Sequence, residues 1–122
     1  MSANTLPHCA SAPQRTIADL LASYRAGSLK PSKLIGDLLT QIEQSDRTEV
    51  WIHRVSAKTL KQQAAALDLM LQIKGEAVFE SLPLFGIPFA VKDNIDVAEL
   101  PTTAACPEFS HVPQVSATAV AR

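Results

Sequence analysis

The spacing of proline is the feature that most constrains how this chain folds. Five of the eight prolines follow Gly75, and they are Pro83, Pro88, Pro101, Pro107 and Pro113. Proline lacks the backbone N–H and its ring clashes with the preceding helical turn, so it is excluded from helix interiors. The chain is therefore expected to change character after Gly75, from helices to loops around a short strand.

Three helices are predicted before Gly75, because apolar residues recur there at helical spacing. The first starts with Thr16 and Asp19 in a capping-box pattern, and Gly27 is placed to end it. The predicted helices span about 16–26, 31–44 and 56–74. The first two share a short connection, so we expect them to lie as an antiparallel pair.

One strand is predicted after Gly75, at Phe89–Val91. This run is apolar on both faces, which is typical of a central strand covered on both sides. Residues 50–55 (VWIHRV) are predicted as a short strand or extended segment, and Ser116 is predicted to cap a helix over 116–122. The order of these elements indicates an α/β fold, in which N-terminal helices precede the first strand or strands of a larger sheet.

Composition excludes several classes of function. The net charge of −1 and the absence of a basic stripe argue against a nucleic-acid partner. No apolar stretch reaches the roughly 20 residues that span a membrane. Cys9 and Cys106 lack metal-site or disulfide spacing, and the three histidines show no ligand pattern, so we expect no metal, no cofactor and a cytoplasmic location. Residues 1–15 lack a signal-peptide pattern and are expected to form a flexible tail.

Lys92 stands at the end of the predicted strand, directly before Asp93 and Asn94. With an ordinary pKa near 10.4, only about one lysine in 2500 is neutral at pH 7, and lowering the pKa to 7 costs about 4.6 kcal/mol. Burial at a strand end can supply such a shift, after which lysine can accept a proton from serine. Lysine followed by Asp-Asn also commonly marks a strand that runs into a solvated turn. The local pattern leaves both interpretations open.

The segment GIPFAVKDNIDVAELPTTAACPEFS resembles the N-terminal signature of the amidase signature family. The matching residues are Gly86, Ile87, Pro88, Val91, Lys92, Asp93, Asn94, Pro101, Thr102 and Thr103. The resemblance implies that Lys92 is the catalytic base of a Ser–cis-Ser–Lys triad in a mixed α/β sheet. It implies that Asp93 and Asn94 order the turn that aims Lys92. Thr102 and Thr103 either line the site or satisfy the loop backbone.

Within that family the chain is most similar to the allophanate hydrolases, through VWIHR and QQAAALD upstream of the signature. This implies a small amide substrate, allophanate, which is converted to ammonia and carbon dioxide in urea or cyanuric acid breakdown. It also implies a homodimer. The alternatives are a general amidase, a subunit of a glutamyl-tRNA amidotransferase, and a non-catalytic helical interaction module.

The chain departs from the family pattern in two ways that affect function. Glu99 stands where glycine is usual, so a positive φ there would strain the backbone by about 1 kcal/mol or more. The two serines and the Gly-Ser-rich oxyanion loop of the family are missing from these 122 residues, which contain four glycines. We therefore expect 16–122 to be the N-terminal part of an incomplete amidase domain, inactive by itself.

Overall fold

The computed structural model describes residues 15–122. Within them lie five α-helices: α1 (Ile17–Arg25), α2 (Pro31–Gln44), α3 (Ala57–Lys74), α4 (Ala77–Ser81) and α5 (Thr118–Ala121). Two short 3-10 helices lie at Thr48–Val50 and Pro107–Phe109. The predicted tail lies outside the described residues except for Arg15. Among the described residues, no helix is both long enough and apolar enough to cross a membrane.

The ends of the helices follow local sequence signals. The hydroxyl of Thr16 accepts from the N–H of Asp19 at 3.1 Å, and the Asp19 carboxylate accepts from the N–H of Thr16 at 2.9 Å. This reciprocal pair satisfies two of the backbone donors that every helix start leaves free. Gly27 (φ +69°) follows the last turn of α1, and Gly75 (φ +58°) ends α3. The predicted cap and both glycine stops are confirmed.

The core gathers side chains from three helices and from the loop that follows them. Its buried members are Leu20, Tyr24, Leu34, Val78, Phe79 and Phe85. α2 packs most extensively against α3, and α3 packs against α4. The prediction that α1 and α2 lie as an antiparallel pair is therefore not confirmed. A short loop permits such a pairing, but α1 directs its buried side chains toward the loop around Phe85.

Helix α4 was not predicted from the sequence. It is one of the shortest helices, and the apolar pattern of five residues is too brief to distinguish helix from loop. Its position is decided by burial, because Val78 and Phe79 are both buried in the core. The ring of Phe79 also meets Phe85 edge to face, with centroids 5.5 Å apart.

Asp68 on α3 caps the start of α2 from a distance of 36 residues in the sequence. Its carboxylate accepts the backbone N–H of Ser32 at 3.1 Å and the hydroxyl of the same residue. Lys30, at the N-cap position itself, makes no side-chain capping bond. A carboxylate near a helix start also interacts favourably with the helix dipole. Asp68 therefore supplies the capping hydrogen bond that the side chain of Lys30 does not make, and in doing so it joins α3 to the start of α2.

The predicted buried strand at Phe89–Val91 is wrong for this chain, and residues 15–122 contain no strand. The side chain of Phe89 is 72% exposed. Among the described residues, no backbone N–H of residues 88–91 donates to a backbone carbonyl. A strand exists only when a neighbour completes its ladder of hydrogen bonds. Apolar character marks the segment as suited to burial, but the described residues supply no neighbour.

Two further segments agree with expectation in part or not at all. Residues 50–55 contain the end of a 3-10 helix and then a loop, so they form no strand, but the backbone angles of Trp51 (φ −109°, ψ 107°) agree with the alternative of an extended segment. Ser116 does not cap α5, whose N-cap is Ala117. The Ser116 hydroxyl instead accepts the N–H of Ala98 at 2.8 Å. A serine hydroxyl can bind an N–H group of a helix start or of a loop, and here it binds the loop.

Substituting Gly86 by alanine is expected to destabilise the fold by about 1–3 kcal/mol. A Cβ at Gly86 would lie 2.9 Å from Cε2 of Tyr24 and 3.0 Å from Cγ of Pro31, and the φ there is +69°. Gly36→Ala is the matched control, because nothing lies within 4 Å of its Cβ position in α2. That substitution should stabilise by about 0.5–1 kcal/mol. Urea unfolding measures both, and equal effects would contradict the packing described.

Candidate active site

Asp93 lies at the centre of the turn that follows Lys92. Its carboxylate accepts the N–H of Thr103 at 3.1 Å, the N–H of Ala105 at 3.2 Å and the hydroxyl of Thr103. Its backbone carbonyl accepts the N–H of Ala104 at 2.9 Å. One residue therefore binds three successive amides of a loop ten to twelve positions later in the chain. Hydrogen bonds to an ionised carboxylate are stronger than those between neutral groups.

The loop that Asp93 binds has an unfavourable backbone. Ala104 and Ala105 have φ values of +49° and +60°, a region that costs roughly 1–2 kcal/mol for residues with a Cβ. Because both alanines have positive φ, their adjacent N–H groups point toward the same side of the chain. Because Asp93 occupies that side, its charge compensates for the strain. The loop conformation therefore depends on Asp93.

The pKa of Asp93 is lowered from its ordinary value of 3.8. The main cause is the hydrogen bond from the Thr103 hydroxyl, and the amides of Ala105 and Thr103 act in the same direction. A weaker contribution comes from the nearby charge of His53, while partial desolvation opposes the shift. The same hydrogen bonds that hold the loop therefore favour the ionised carboxylate.

A second acidic residue organises the other side of the loop. Oδ1 of Asp96 accepts the hydroxyl of Thr102 at 2.9 Å and lies 3.0 Å from Nε2 of His111. Thr102 and His111 also form an isolated antiparallel bridge, in which each N–H donates to the carbonyl of the other residue. Sequence reasoning proposed neither Asp96 nor His111 for this site. The sequence signal that could have identified Asp96 was its position within the K-D-N-I-D run.

Glu99 has a φ of +66°, so the condition under which glutamate is strained at this position is met. Its N–H donates to the carbonyl of Pro113 at 3.0 Å. This bond joins the middle of the signature segment to a residue just beyond its end. The strain at Glu99 is a local cost of about 1 kcal/mol or more that glycine would avoid.

The five predicted site residues fall into two groups. Thr102 and Thr103 are buried, and Asp93 is partly buried beneath them. Lys92 and Asn94 are exposed. Within residues 15–122 the Lys92 ammonium makes no ion pair. Because Lys92 is exposed, this part of the chain does not provide the burial expected for a lysine base. A depression of about 530 Å³ lies between Asn94–Asp96 and Thr102–Ala104, and Lys92 does not line it.

The described residues hold no cluster of three or more His, Cys, Asp or Glu side chains suited to a metal ion. Cys106 is partly exposed, and its thiol donates to Glu108 at 3.0 Å. Cys9 lies outside the described residues.

These features match a known family. The sequence profile of the amidase family matches residues 33–122, and the chain belongs to that family. Over 99 residues it is 38% identical to the urea amidolyase of Saccharomyces cerevisiae, covering 80% of this chain and 5% of that protein. The resemblance read from the K-D-N segment is confirmed.

Two further relatives extend the comparison. The crystal structure of the Kluyveromyces lactis allophanate hydrolase superimposes with a TM-score of 0.62 and 30% identity, covering 88% of this chain and 17% of that one. A glutamyl-tRNA(Gln) amidotransferase subunit of Lacticaseibacillus casei is 32% identical over 90 residues, covering 74% of this chain and 17% of that protein. The chain thus spans from 5% to 17% of the length of these relatives.

Replacing Asp93 by asparagine should lower stability at pH 7 and reduce the loss of stability on acidification. A carboxyl whose pKa is lowered by folding stabilises the fold above its unfolded pKa, and this contribution is lost as the pH falls through the folded value. The difference between wild type and Asp93→Asn should therefore shrink from about pH 5 to pH 2. Urea midpoints across that range measure it.

Asp37→Asn serves as the control, because Asp37 is exposed on α2 and pairs with Lys33 alone in the described residues. Its effect should be small, as for exposed pairs in general. If Asp93→Asn behaves like the control at both ends of the pH range, the proposed link between Asp93 and the strained loop is wrong.

Proposed function

We propose that this chain supplies the lysine-bearing part of an amide hydrolase of the allophanate hydrolase type. The observation that carries the proposal is the K-D-N turn, in which Asp93 holds three loop amides immediately after Lys92. Membership of the amidase family and the similarity to a urea amidolyase and an allophanate hydrolase support it. The proposed substrate is allophanate, and the proposed products are ammonia and carbon dioxide.

In the proposed mechanism Lys92 is the base of a Ser–cis-Ser–Lys triad. The nucleophilic serine attacks the amide carbonyl, and its proton passes through the cis-serine to the neutral amine of Lys92. The proton then moves to the leaving nitrogen, ammonia departs, and water hydrolyses the acyl-enzyme. Both serines and the oxyanion donors would come from parts of the enzyme beyond these 122 residues. No cofactor or metal enters the proposal.

The neutral form of Lys92 needs an environment that these residues do not supply. The Lys92 side chain is exposed in the described residues. Burial by a surrounding sheet could provide that environment, and the segment before Lys92 is apolar along its length. We propose that residues 87–91 become a strand of the mixed sheet when the rest of the domain is present.

The neighbouring residues are assigned supporting roles. Asp93 and Asn94 order the turn that aims Lys92, and the contacts of Asp93 with Thr103 and Ala105 support this assignment. Thr102 donates to Asp96 and Thr103 donates to Asp93. Both hydroxyls are therefore engaged within the loop, which favours a role in loop structure over contact with substrate.

Two broader assignments complete the proposal. The whole enzyme is proposed to be a cytoplasmic homodimer without nucleic-acid or membrane partners. The second candidate function is another amidase-family reaction, such as that of a general amidase or of a glutamyl-tRNA(Gln) amidotransferase. The 32% identity to the Lacticaseibacillus casei protein favours keeping this candidate, while the higher identity to the yeast urea amidolyase favours allophanate.

The function can be tested in a chimera that carries residues 16–122 in place of the matching segment of the Kluyveromyces lactis allophanate hydrolase. The chimera should release ammonia from allophanate, and Lys92→Met should lower kcat at least about 100-fold, as expected for loss of a general base. Lys61→Met is the matched control, because Lys61 is exposed on α3. Ammonia release is measured with a coupled assay.

Circular dichroism and sizing establish that each chimera is folded. A folded chimera that retains its rate after Lys92→Met would contradict the role of Lys92. A folded chimera that hydrolyses a simple amide or glutamine but not allophanate would favour the second candidate function.

The 122-residue chain by itself should release no ammonia from allophanate. It contains the proposed base but no Gly-Ser-rich oxyanion loop, and the loss of such donors alone typically costs roughly 100- to 1000-fold in rate. The assay is ammonia production by the purified chain against a buffer blank. Turnover that disappears in Lys92→Met would contradict the proposal that the base is present here without its nucleophile.

A further inference from the structure

Tyr24 on α1 contacts the start of the segment that leads to Lys92. Its side chain is only 2% exposed, and its hydroxyl donates to the carbonyl of Gly86 at 2.8 Å. The two residues are 62 positions apart in the sequence. A helix that carries none of the signature residues therefore binds the first residue of the signature.

Gly86 also fits against the ring of Tyr24 itself. The space that a Cβ would need at Gly86 is occupied by Tyr24 Cε2 at 2.9 Å and by Pro31 Cγ at 3.0 Å. The preceding residue, Phe85, is 3% exposed and meets the Tyr24 ring edge to face, with centroids 6.3 Å apart. Both the hydroxyl and the ring of Tyr24 therefore fix the chain at Phe85–Gly86.

Between Gly86 and the K-D-N turn, the side chain of Ile87 packs against the core, but backbone hydrogen bonds are few. The N–H of Ile87 donates to Leu84, but no N–H of residues 88–91 donates to a backbone carbonyl of the described residues. The next fixed point is the turn itself, where Lys92 accepts the N–H of Ile95 and Asp93 binds its loop. The lysine-bearing segment is thus held at its two ends, by Tyr24 and by Asp93.

We infer that Tyr24 is a positioning residue for Lys92, acting through Gly86 at the start of the segment that carries the lysine. The inference rests on the proposed function for the role of Lys92, but the contact itself does not. Burial raises the pKa of Tyr24, and the charge of Asp68 acts in the same direction. The phenol is therefore a neutral donor at physiological pH, and the bond to Gly86 persists across the working range.

The first test uses the full 122-residue chain and requires no catalysis. Tyr24→Phe keeps the ring and removes the donor, so the exchange rate of the Ile87 amide, measured by NMR, should rise about fivefold for the loss of one hydrogen bond. Thr16→Ala is the matched control, because it removes the cap of the same helix at a similar cost without touching Gly86. It should raise exchange within α1 and leave the Ile87 amide unchanged.

The second test measures catalysis in the chimera described above. Tyr24→Phe should lower kcat about tenfold and leave KM unchanged, because a displaced base weakens transition-state contacts more than substrate binding. Thr16→Ala should change neither constant.

The outcomes separate the two proposals. If Tyr24→Phe and Thr16→Ala raise Ile87 exchange equally, or neither does, Tyr24 has no specific hold on the segment and the inference is overturned. If exchange rises only in Tyr24→Phe but kcat is unchanged, Tyr24 anchors the segment without positioning Lys92, which also overturns it. If Lys92→Met leaves the chimera active, the proposed function fails, while the exchange result still decides whether Tyr24 holds Gly86.

Discussion

The contact between Tyr24 and Gly86 joins the two halves of the described structure. On one side is a set of helices whose ends are mostly set by local caps, and on the other is the signature loop, which is reached through residues 88–91, where no N–H donates to a backbone carbonyl of the described residues. Tyr24 supplies both a hydrogen bond and a packed ring at the place where they meet. Loss of this contact would leave the signature segment attached to the helices mainly through the packing of Phe85 and Ile87 in the core.

A second set of contacts gives the signature loop its shape. Asp93 compensates for two adjacent alanines with positive φ, and Asp96 links Thr102 to His111 on the other side of the same loop. Strained backbone persists where surrounding contacts determine it, and such strain is concentrated at functional sites. The strain at Ala104 and Ala105 is consistent with a loop kept for its position beside Lys92. Glu99 adds strain for which the structure offers no compensating contact beyond one hydrogen bond to Pro113.

Helix prediction succeeded where the signal was local and failed where it was not. The Thr16 cap and the glycine stops depend on residues within one turn, so sequence order contains the necessary information. Helix α4 and the packing of α2 on α3 depend on which apolar faces meet, and spacing alone does not specify that. The strand at Phe89–Val91 was wrong for a related reason: apolar residues suit burial, but a strand requires a partner at hydrogen-bonding distance. Asp96 and His111 were missed because they meet across fifteen residues.

The sequence by itself determined the family, the three long helices and the place of Lys92 at the end of an apolar run. These follow from residue identities at fixed short spacings, which the chain keeps in any conformation. Only the tertiary structure decided that Tyr24 holds Gly86, that Asp68 caps α2 and that Asp93 gathers the amides of residues 103–105. Each of these contacts joins residues separated by ten to sixty-two positions. Such pairs form only when the path of the whole chain brings a donor and an acceptor within about 3 Å of each other.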